Sequence, residues 1–243
     1  MDGNPNIAHV AALIADPSRA RMLMTLLGGQ TLMASELARI AAITPQTASW
    51  HLTKMVDGGL LHSVYRGRNR YFSLGSPEVA HVLETLSLVA KPTQVRSLRQ
   101  SDEVRALRFA RTCYDHLAGE VGVAVTSRLL SLGWLVPNGR DFAVTEDGAS
   151  EFRKWFGMEL DGIRLSRRVF ARQCLDWSER RHHVAGVLGA IMTTRFFELG
   201  WIRRKPGTRA VIVTEAGAAG LLETLGLPIH ELTSHGHRPP SNG

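Results

Sequence analysis

Hydrophobic residues in the first third of the chain recur at helical spacing and are interrupted by short turn sequences. A helical pattern over residues 5–15 ends at Asp16-Pro17, where Asp16 can cap a second helix with Pro17 in its first turn. A short amphipathic helix over residues 31–40 follows, and Thr44 can then cap a helix over residues 45–57. Two short helices joined by three or four residues predict a helix-turn-helix.

Two segments of alternating residues, 61–65 and 70–74, come next and are joined by Arg66-Gly67-Arg68-Asn69. This alternation predicts a β-hairpin with a basic tip. Arginines at such a tip are suited to contact DNA phosphates or the minor groove. The alternative is a solvated surface loop.

The second helix of the motif carries polar residues whose donors and acceptors can pair with base edges in the major groove. The alternative is an ordinary polar helix face. With the hairpin, the predicted DNA-binding residues are Thr44, Gln46, Thr47, Ser49, Trp50, His51, Lys54, Arg66, Arg68 and Arg70.

The segment Ala34–Leu74 resembles the ArsR/SmtB family of winged-helix repressors. The resemblance rests on Ser-Glu-Leu-Ala at 35–38, Ile-Thr-Pro-Gln-Thr-Ala-Ser-Trp-His-Leu at 43–52, Gly-Gly-Leu-Leu at 58–61 and the wing at 66–72. It implies a homodimer that places its recognition helices in successive major grooves of double-stranded DNA and releases the DNA when an effector binds. It also implies dimerisation through residues 5–15 and 77–90.

The chain departs from the metal-sensing members of that family. Residues 31–35 contain no cysteine, and Glu78, His81 and Glu84 match a second known site only in part and are better explained as surface residues. We therefore predict no metal site and no cofactor.

Residues 91–103 predict a polar linker, and two similar segments follow it. The shared landmarks are Arg-x-Cys-x-Asp, Gly-Trp and Val-Thr-Glu-x-Gly, which begin at 111, 133 and 144 in the first copy and at 172, 200 and 213 in the second. Helices are predicted over residues 117–132 and 182–199. Each copy is thus predicted to be a helix–hairpin–helix unit, and the pair is predicted to form a pseudo-twofold domain.

The two cysteines occupy the same position of the two copies. The candidate effector-sensing residues are Cys113, Asp115, Cys174, Asp176 and Trp177. If the cysteines lie on helices, the flanking Arg and Asp residues point away from them. The cysteines could pack as small hydrophobes, could react or bind arsenite or a soft metal as a thiol pair, or could be incidental to a pocket for an organic effector.

A second polar segment contains the adjacent histidines His182 and His183. On a helix these two side chains would point about 100° apart, so they could not comfortably share one metal ion. We interpret the segment as a solvated helix start.

The expected fold class is mainly α with short β-hairpins (α+β). It comprises a winged helix-turn-helix over residues 1–90, the linker over 91–103, a repeated effector domain over 104–230 and a disordered tail over 231–243. The tail is polar and contains Pro-Pro and Gly.

Composition and net charge limit the classes of protein to which this chain can belong. The net charge of +7 favours a polyanionic partner, and 44% hydrophobic with 21% charged residues is typical of a globular protein. The sequence contains no run of about 18 apolar residues, the length needed to span a membrane. The first residues lack the features of a signal peptide, and a total of two cysteines fits a reducing cytoplasm.

The sequence therefore predicts a cytoplasmic, homodimeric DNA-binding repressor that releases its operator when the C-terminal domain senses an effector, with a small molecule as the candidate effector. One alternative is a thiol-, redox- or arsenite-responsive regulator that uses Cys113 and Cys174. Another is an enzyme fused to a winged helix, although residues 104–230 contain no Gly-rich phosphate loop, Gly-x-Ser-x-Gly or His-Glu-x-x-His. A third is a winged helix that binds protein instead of DNA.

Overall fold

The computed structural model describes residues 4–91, 97–160 and 169–232. The described residues divide into two compact units. The N-terminal unit comprises the residues up to Lys91 together with Pro206–Arg209, and the C-terminal unit comprises the others. Within the described ranges, no helix is both long enough and apolar enough to cross a membrane.

The N-terminal unit contains five helices and one antiparallel sheet in its described part. The helices are α1 (Ile7–Ile14), α2 (Pro17–Leu26), α3 (Ala34–Ala41), α4 (Pro45–Asp57) and α5 (Pro77–Val89). The strands are β1 (Leu32–Met33), β2 (Leu61–Arg66) and β3 (Asn69–Leu74). The strand order is β1-β3-β2. The predicted helix-turn-helix and wing are therefore confirmed.

Local sequence signals explain where these helices begin and end. The side chain of Asp16 accepts a hydrogen bond from the Arg19 amide, and that of Thr44 accepts one from the Thr47 amide, each with a proline as the next residue. Ala42 adopts a left-handed conformation and ends α3. Leu32 and Met33, predicted to begin a helix, instead form β1 because they pair with β3.

The C-terminal unit starts with one helix and continues through two similar series of elements. The first part is α6 (Leu98–Phe109), β4 (Arg111–Cys113), β5 (His116–Ala118), α7 (Gly119–Ser131), β6 (Leu135–Asn138), β7 (Asp141–Val144) and α8 (Glu146–Phe156). The second is β8 (Arg172–Leu175), β9 (His182–Ala185), α9 (Gly186–Glu198), β10 (Ile202–Arg204), β11 (Val211–Val213), α10 (Glu215–Leu225) and α11 (Ile229–Leu232).

Each series has the order hairpin, helix, hairpin, helix, whereas the sequence predicted helix–hairpin–helix. The predicted helices over 117–132 and 182–199 each begin as a strand, and both cysteines lie on strands. These strands are three or four residues long, which is too short to establish a period of two in the sequence.

The two series exchange backbone hydrogen bonds reciprocally. The Phe142 amide donates to the Ala171 carbonyl at 2.7 Å, and the Val211 amide donates to the Ala110 carbonyl at 3.0 Å. Hairpin β6–β7 of the first series therefore joins β8–β9 of the second, and hairpin β10–β11 of the second series joins β4–β5 of the first. This exchange brings β4–β5 and β8–β9 into the interior of one unit.

The aromatic core of this unit includes both tryptophans that follow the Gly landmarks. The Trp134 ring meets Phe152 edge-on at a centroid distance of 5.5 Å, and the Trp201 ring stacks on Phe196 at 5.4 Å. Phe152 and Phe196 are fully buried. This packing ties α8 and α9 to the residues that precede the second hairpins, β6–β7 and β10–β11.

Two predicted boundaries are corrected. Residues 98–103, predicted as part of the linker, belong to α6, where the Ser97 side chain accepts a hydrogen bond from the Gln100 amide. Residues 231 and 232, predicted as part of the tail, belong to α11. Linker residues 92–96 and tail residues 233–243 lie outside the described residues.

Candidate functional site

Helix α4 presents a polar face to solvent and an apolar face to the core. Ala48, Leu52 and Met55 are fully buried, which fixes the rotation of the helix about its axis. The exposed side chains from the predicted DNA-binding set are Thr44, Gln46, Thr47, Ser49, Trp50 and Lys54. We call these six residues the α4 surface.

Two contacts organise this surface. The hydroxyls of Thr44 and Thr47 lie 2.8 Å apart at the start of the helix. One turn further on, Lys54 Nζ lies 3.9 Å from the centre of the Trp50 ring, a cation–π contact. Gln46 and Ser49 project from the first turns, which is the part of a recognition helix that reaches base edges.

The wing places two of its three arginines in solvent. Arg66 and Arg68 are exposed around Gly67, whose φ of 61° suits the first residue of a two-residue hairpin turn. Arg70 is half-buried, and its Nε and Nη2 donate to Ser63 Oγ at 3.1 and 2.9 Å. Arg70 therefore braces the two strands of the wing, while Arg66 and Arg68 are accessible to a partner.

His51 does not belong to the α4 surface, although the sequence analysis included it among the DNA-binding residues. It is 6% exposed, and its Nδ1 lies 3.1 Å from Arg19 Nη1. Because an arginine can only donate, Nδ1 accepts this hydrogen bond. Arg19 Nε in turn donates to the Leu13 carbonyl, so His51 links α4 to α2 and the end of α1.

In the C-terminal unit, each of the hairpins β4–β5 and β8–β9 pairs a cysteine directly with a histidine. Cys113 is the cross-strand partner of His116, and Cys174 is that of His183. Directly opposite residues on an antiparallel pair share one face of the hairpin. Each hairpin thus offers one sulfur and one imidazole side by side.

The two hairpins meet, and these four side chains form one cluster. Cys113 Sγ lies 3.9 Å from Cys174 Sγ, and His116 Nε2 lies 3.1 Å from His183 Nε2. The four ligand atoms all lie within 4.8 Å of one another and could hold a metal ion. Neither of these two cysteines forms a disulfide. We call these four residues the Cys2His2 cluster.

An aspartate stands behind each histidine of the cluster. His116 Nδ1 donates to Asp115 Oδ1 at 3.1 Å. His183 Nδ1 lies 3.3 Å from Asp176 Oδ2, an ion-pair contact whose angles fall outside those of a formed hydrogen bond. Both Nε2 atoms therefore face the centre of the cluster.

Electrostatics within the cluster favour ionised groups despite their burial. Burial alone lowers the pKa of His116, but the charge of Cys113 and the hydrogen bond with Asp115 outweigh it and raise the pKa to about 10. Burial also favours the neutral acid of Asp176, but His183 and Arg111 hold the pKa of that carboxyl well below its usual range. Charged partners thus control protonation around the cluster.

Asp176 also anchors the cluster to the surrounding fold. Its Oδ2 accepts from Arg111 Nη2 at 2.9 Å and from the Gly119 amide at 2.7 Å, and the Arg111–Asp176 ion pair is fully buried. The Trp177 ring lies 4.5 Å from the Arg111 guanidinium carbon. Of the predicted sensing residues, Asp176 therefore lies beside the cluster, and Trp177 packs against the arginine that pairs with Asp176.

Neither His116 nor His183 was predicted as a site residue. The sequence placed His182 and His183 at the start of a helix, where they could not comfortably share a metal ion, and the expectation of no metal site rested partly on that assignment. In β9, adjacent residues point to opposite sides, so His183 is buried and His182 is exposed. A usable signal was present, since His116 and His183 are separated by 67 residues, as are the Gly-Trp landmarks.

The α4 surface and the basic wing together define a winged helix-turn-helix DNA-binding protein. Residues 14–64 match the family described as "Helix-turn-helix domain". Over 226 residues the chain is 45% identical to the "Uncharacterized HTH-type transcriptional regulator YdfF" of Bacillus subtilis strain 168, a match that covers 93% of this chain and 100% of YdfF. The chain belongs to this family of DNA-binding helix-turn-helix transcriptional regulators.

Solved structures that are similar to this chain match about a third of it. NolR from Sinorhizobium fredii is 23% identical, with 36% of this chain and 86% of NolR covered and a TM-score of 0.33. The homodimeric winged helix-turn-helix DNA-binding domain Mb0332 from Mycobacterium bovis, described as a possible ArsR-family transcriptional regulator, is also 23% identical. There the match covers 37% of this chain and 89% of the Mb0332 fragment 1–100, with a TM-score of 0.32.

Proposed function

We propose that this regulator is a homodimeric repressor that binds its operator through the α4 surface and the wing and is released when the C-terminal unit senses an effector. DNA binding is supported by one observation: the six side chains of the α4 surface are exposed, and so are Arg66 and Arg68 of the wing. Polar side chains at a helix N-terminus can pair with bases, and arginines on a hairpin tip can neutralise phosphates.

Helix α4 and the wing are proposed to contact different parts of the DNA. Gln46 and Ser49 are placed to contact base edges, because they lie in the first turns of α4 and have no core contact to maintain. Arg66 and Arg68 bind phosphates or the minor groove and give affinity that is independent of sequence. His51 contributes by holding α4 in place.

The proposed dimer uses α1 and α5, as the ArsR/SmtB resemblance implies. Large apolar side chains on these helices are exposed in the single chain: Ile7 is 75% exposed, Val89 78%, Val82 45% and Leu86 43%. The exposed apolar stripe on α5, together with Ile7 on α1, favours burial against a second copy. The same pairing would set the spacing between two α4 helices on DNA.

For effector sensing, the thiols of Cys113 and Cys174 support a redox-responsive alternative. Their sulfurs lie 3.9 Å apart and would have to approach to about 2.05 Å in a disulfide. Hydrogen peroxide would accept the two electrons and two thiol protons and leave as two waters. An organic effector in the same unit is the other alternative, with the cysteines as packing residues.

The test uses the full-length chain and a duplex from its own upstream region. We expect tight binding that weakens as salt rises, a dimer in sedimentation, and higher expression of a reporter under that region when the chain is absent. A scrambled duplex of equal length is the control. Salt-independent binding, equal affinity for both duplexes, a monomer on DNA or an unchanged reporter would each contradict the corresponding part of the proposal.

The effector arm is tested by repeating the binding measurement with hydrogen peroxide. Loss of binding that dithiothreitol restores, and that a Cys113→Ser, Cys174→Ser variant lacks, supports the thiol alternative. Binding that ignores peroxide excludes it and leaves a reversibly bound effector.

A further inference from the structure

We propose that Cys113, His116, Cys174 and His183 bind one borderline-soft metal ion of the zinc class, with two thiolate and two imidazole ligands. The proposal rests on the C-terminal unit alone. It therefore does not depend on the proposed repression, and its test involves no DNA.

The ligand spacing matches a tetrahedron of two sulfurs and two nitrogens. With zinc bonds of about 2.3 Å to sulfur and about 2.0 Å to nitrogen, the sulfur–sulfur edge is about 3.8 Å and the nitrogen–nitrogen edge about 3.3 Å. The cluster has 3.9 Å between the cysteine sulfurs and 3.1 Å between the histidine Nε2 atoms. All four atoms lie within 4.8 Å, so small side-chain rotations bring the other edges to length.

The fold holds the four ligands in place before any ion arrives. Each hairpin fixes one cysteine opposite one histidine, with only Tyr114 and Asp115 between Cys113 and His116. Helix α9 approaches closely at Gly189, where an added Cβ would lie 3.0 Å from His116 Cβ. A larger residue there would also meet the Val184 carbonyl oxygen at 2.5 Å, so glycine is what lets α9 pack this closely beside His116.

The aspartates provide the outer shell that metal-binding histidines usually have. A histidine that ligates through Nε2 typically has its Nδ1 oriented by a carboxylate, which fixes the tautomer and makes the ring a better ligand. Asp115 and Asp176 occupy this position behind His116 and His183. A carboxylate thus lies behind the imidazole on both hairpins, as a hydrogen-bond acceptor at His116 and in ion-pair contact at His183.

Charge and burial also fit a divalent ion. Binding releases the protons that the thiols and the His116 imidazole hold in the metal-free chain, and two thiolates then neutralise a 2+ charge, which makes the occupied site compatible with a buried environment. Cys113, His116 and His183 are buried, and Cys174 is partly exposed and gives access. Four protein ligands leave no open position, as in a structural or sensing site.

The first experiment titrates the reduced, chelator-stripped full chain with Co²⁺. We expect saturation at about one ion per chain, with the visible absorption of tetrahedral cobalt and a thiolate-to-cobalt charge-transfer band that Zn²⁺ abolishes by displacement. Zinc content after purification should approach one ion per chain. A folded, reduced chain that binds no Co²⁺ with this spectrum would overturn the proposal.

Neighbouring residues on one strand provide the matched control. His183→Gln should weaken Co²⁺ binding at least tenfold, whereas His182→Gln, on the opposite and exposed side of β9, should leave it unchanged. If circular dichroism shows that His183→Gln does not fold, Cys174→Ser provides the second test. This variant changes the partly exposed ligand, and its thiolate-to-cobalt charge-transfer band should be weaker than that of the parent. Equal binding by His183→Gln and His182→Gln, or an undiminished band in Cys174→Ser, would refute the assigned ligands.

Discussion

His116 Nε2 and His183 Nε2 lie 3.1 Å apart although the residues are 67 positions apart in the chain. Each histidine enters on its own hairpin, directly opposite a cysteine. The cluster therefore exists only because the two hairpins fold into one unit. This separates it from the α4 surface, which is built within a single helix.

We expect Arg68→Ala to weaken binding to specific and scrambled DNA by a similar factor. The exposed Arg68 is proposed to neutralise about one phosphate, so the slope of log affinity against log salt should become shallower by about one. Arg105→Ala, at a 75% exposed arginine of the C-terminal unit, is the control in the same anisotropy titrations. An unchanged slope in Arg68→Ala would remove the wing from the DNA interface.

We expect Gln46→Ala to change which sequences are preferred. Gln46 is exposed on the first turn of α4, and loss of a base contact there should cost about 1–3 kcal/mol on the preferred duplex and much less on others. Competition binding with single-base operator variants measures the effect. A uniform loss on all duplexes would show that Gln46 does not read bases.

For His51→Ala we expect a loss of stability with little change in the ranking of DNA sequences. The buried His51 accepts from Arg19, and its removal leaves that donor without this partner at a cost of about 1–3 kcal/mol. Urea unfolding followed by circular dichroism gives the change, with Gln46→Ala as the control that should unfold like the parent. A stable His51→Ala with altered sequence preference would return His51 to the DNA interface.

Asp115→Asn should lower Co²⁺ affinity by about 10- to 100-fold while leaving the tetrahedral spectrum in place. The physical reason is that Asp115 accepts from His116 Nδ1 and orients the imidazole without being a ligand. Asp102→Asn, at an exposed aspartate on α6, serves as the control. If both variants bind Co²⁺ as the parent does, Asp115 has no orienting role.

Arg111→Met should reduce the free energy of unfolding by about 3–5 kcal/mol, since it removes the arginine partner of the fully buried Asp176 carboxylate. The equivalent residue of the second series, Arg172, is exposed, so Arg172→Met is the matched control. Urea unfolding of both variants compares the two environments. Similar losses for the two variants would argue against a special role for the buried pair.

The N-terminal unit could be predicted in most of its detail from sequence. Its elements are marked by local signals: caps such as Asp16 and Thr44, prolines at first helical positions and a glycine at the wing tip. Each of these acts on neighbouring residues, so its effect can be predicted without knowledge of tertiary contacts. Like the next residue, Leu52, His51 is buried, although the sequence placed it with Gln46 and Ser49 on a face that contacts DNA. Its burial depends on Arg19, which comes from another helix.

In the C-terminal unit, the sequence by itself revealed two related segments with equivalent cysteines. Strands of three or four residues carry almost no periodic signal, so β4, β5, β8 and β9 were predicted as parts of helices or left unassigned. Only the tertiary structure decided that Cys113 and His116 share one hairpin face and meet Cys174 and His183. Local preferences determine where helices begin and end. The buried cluster instead depends on which distant strands come together, and the packing free energy that decides this is not visible in any local sequence pattern.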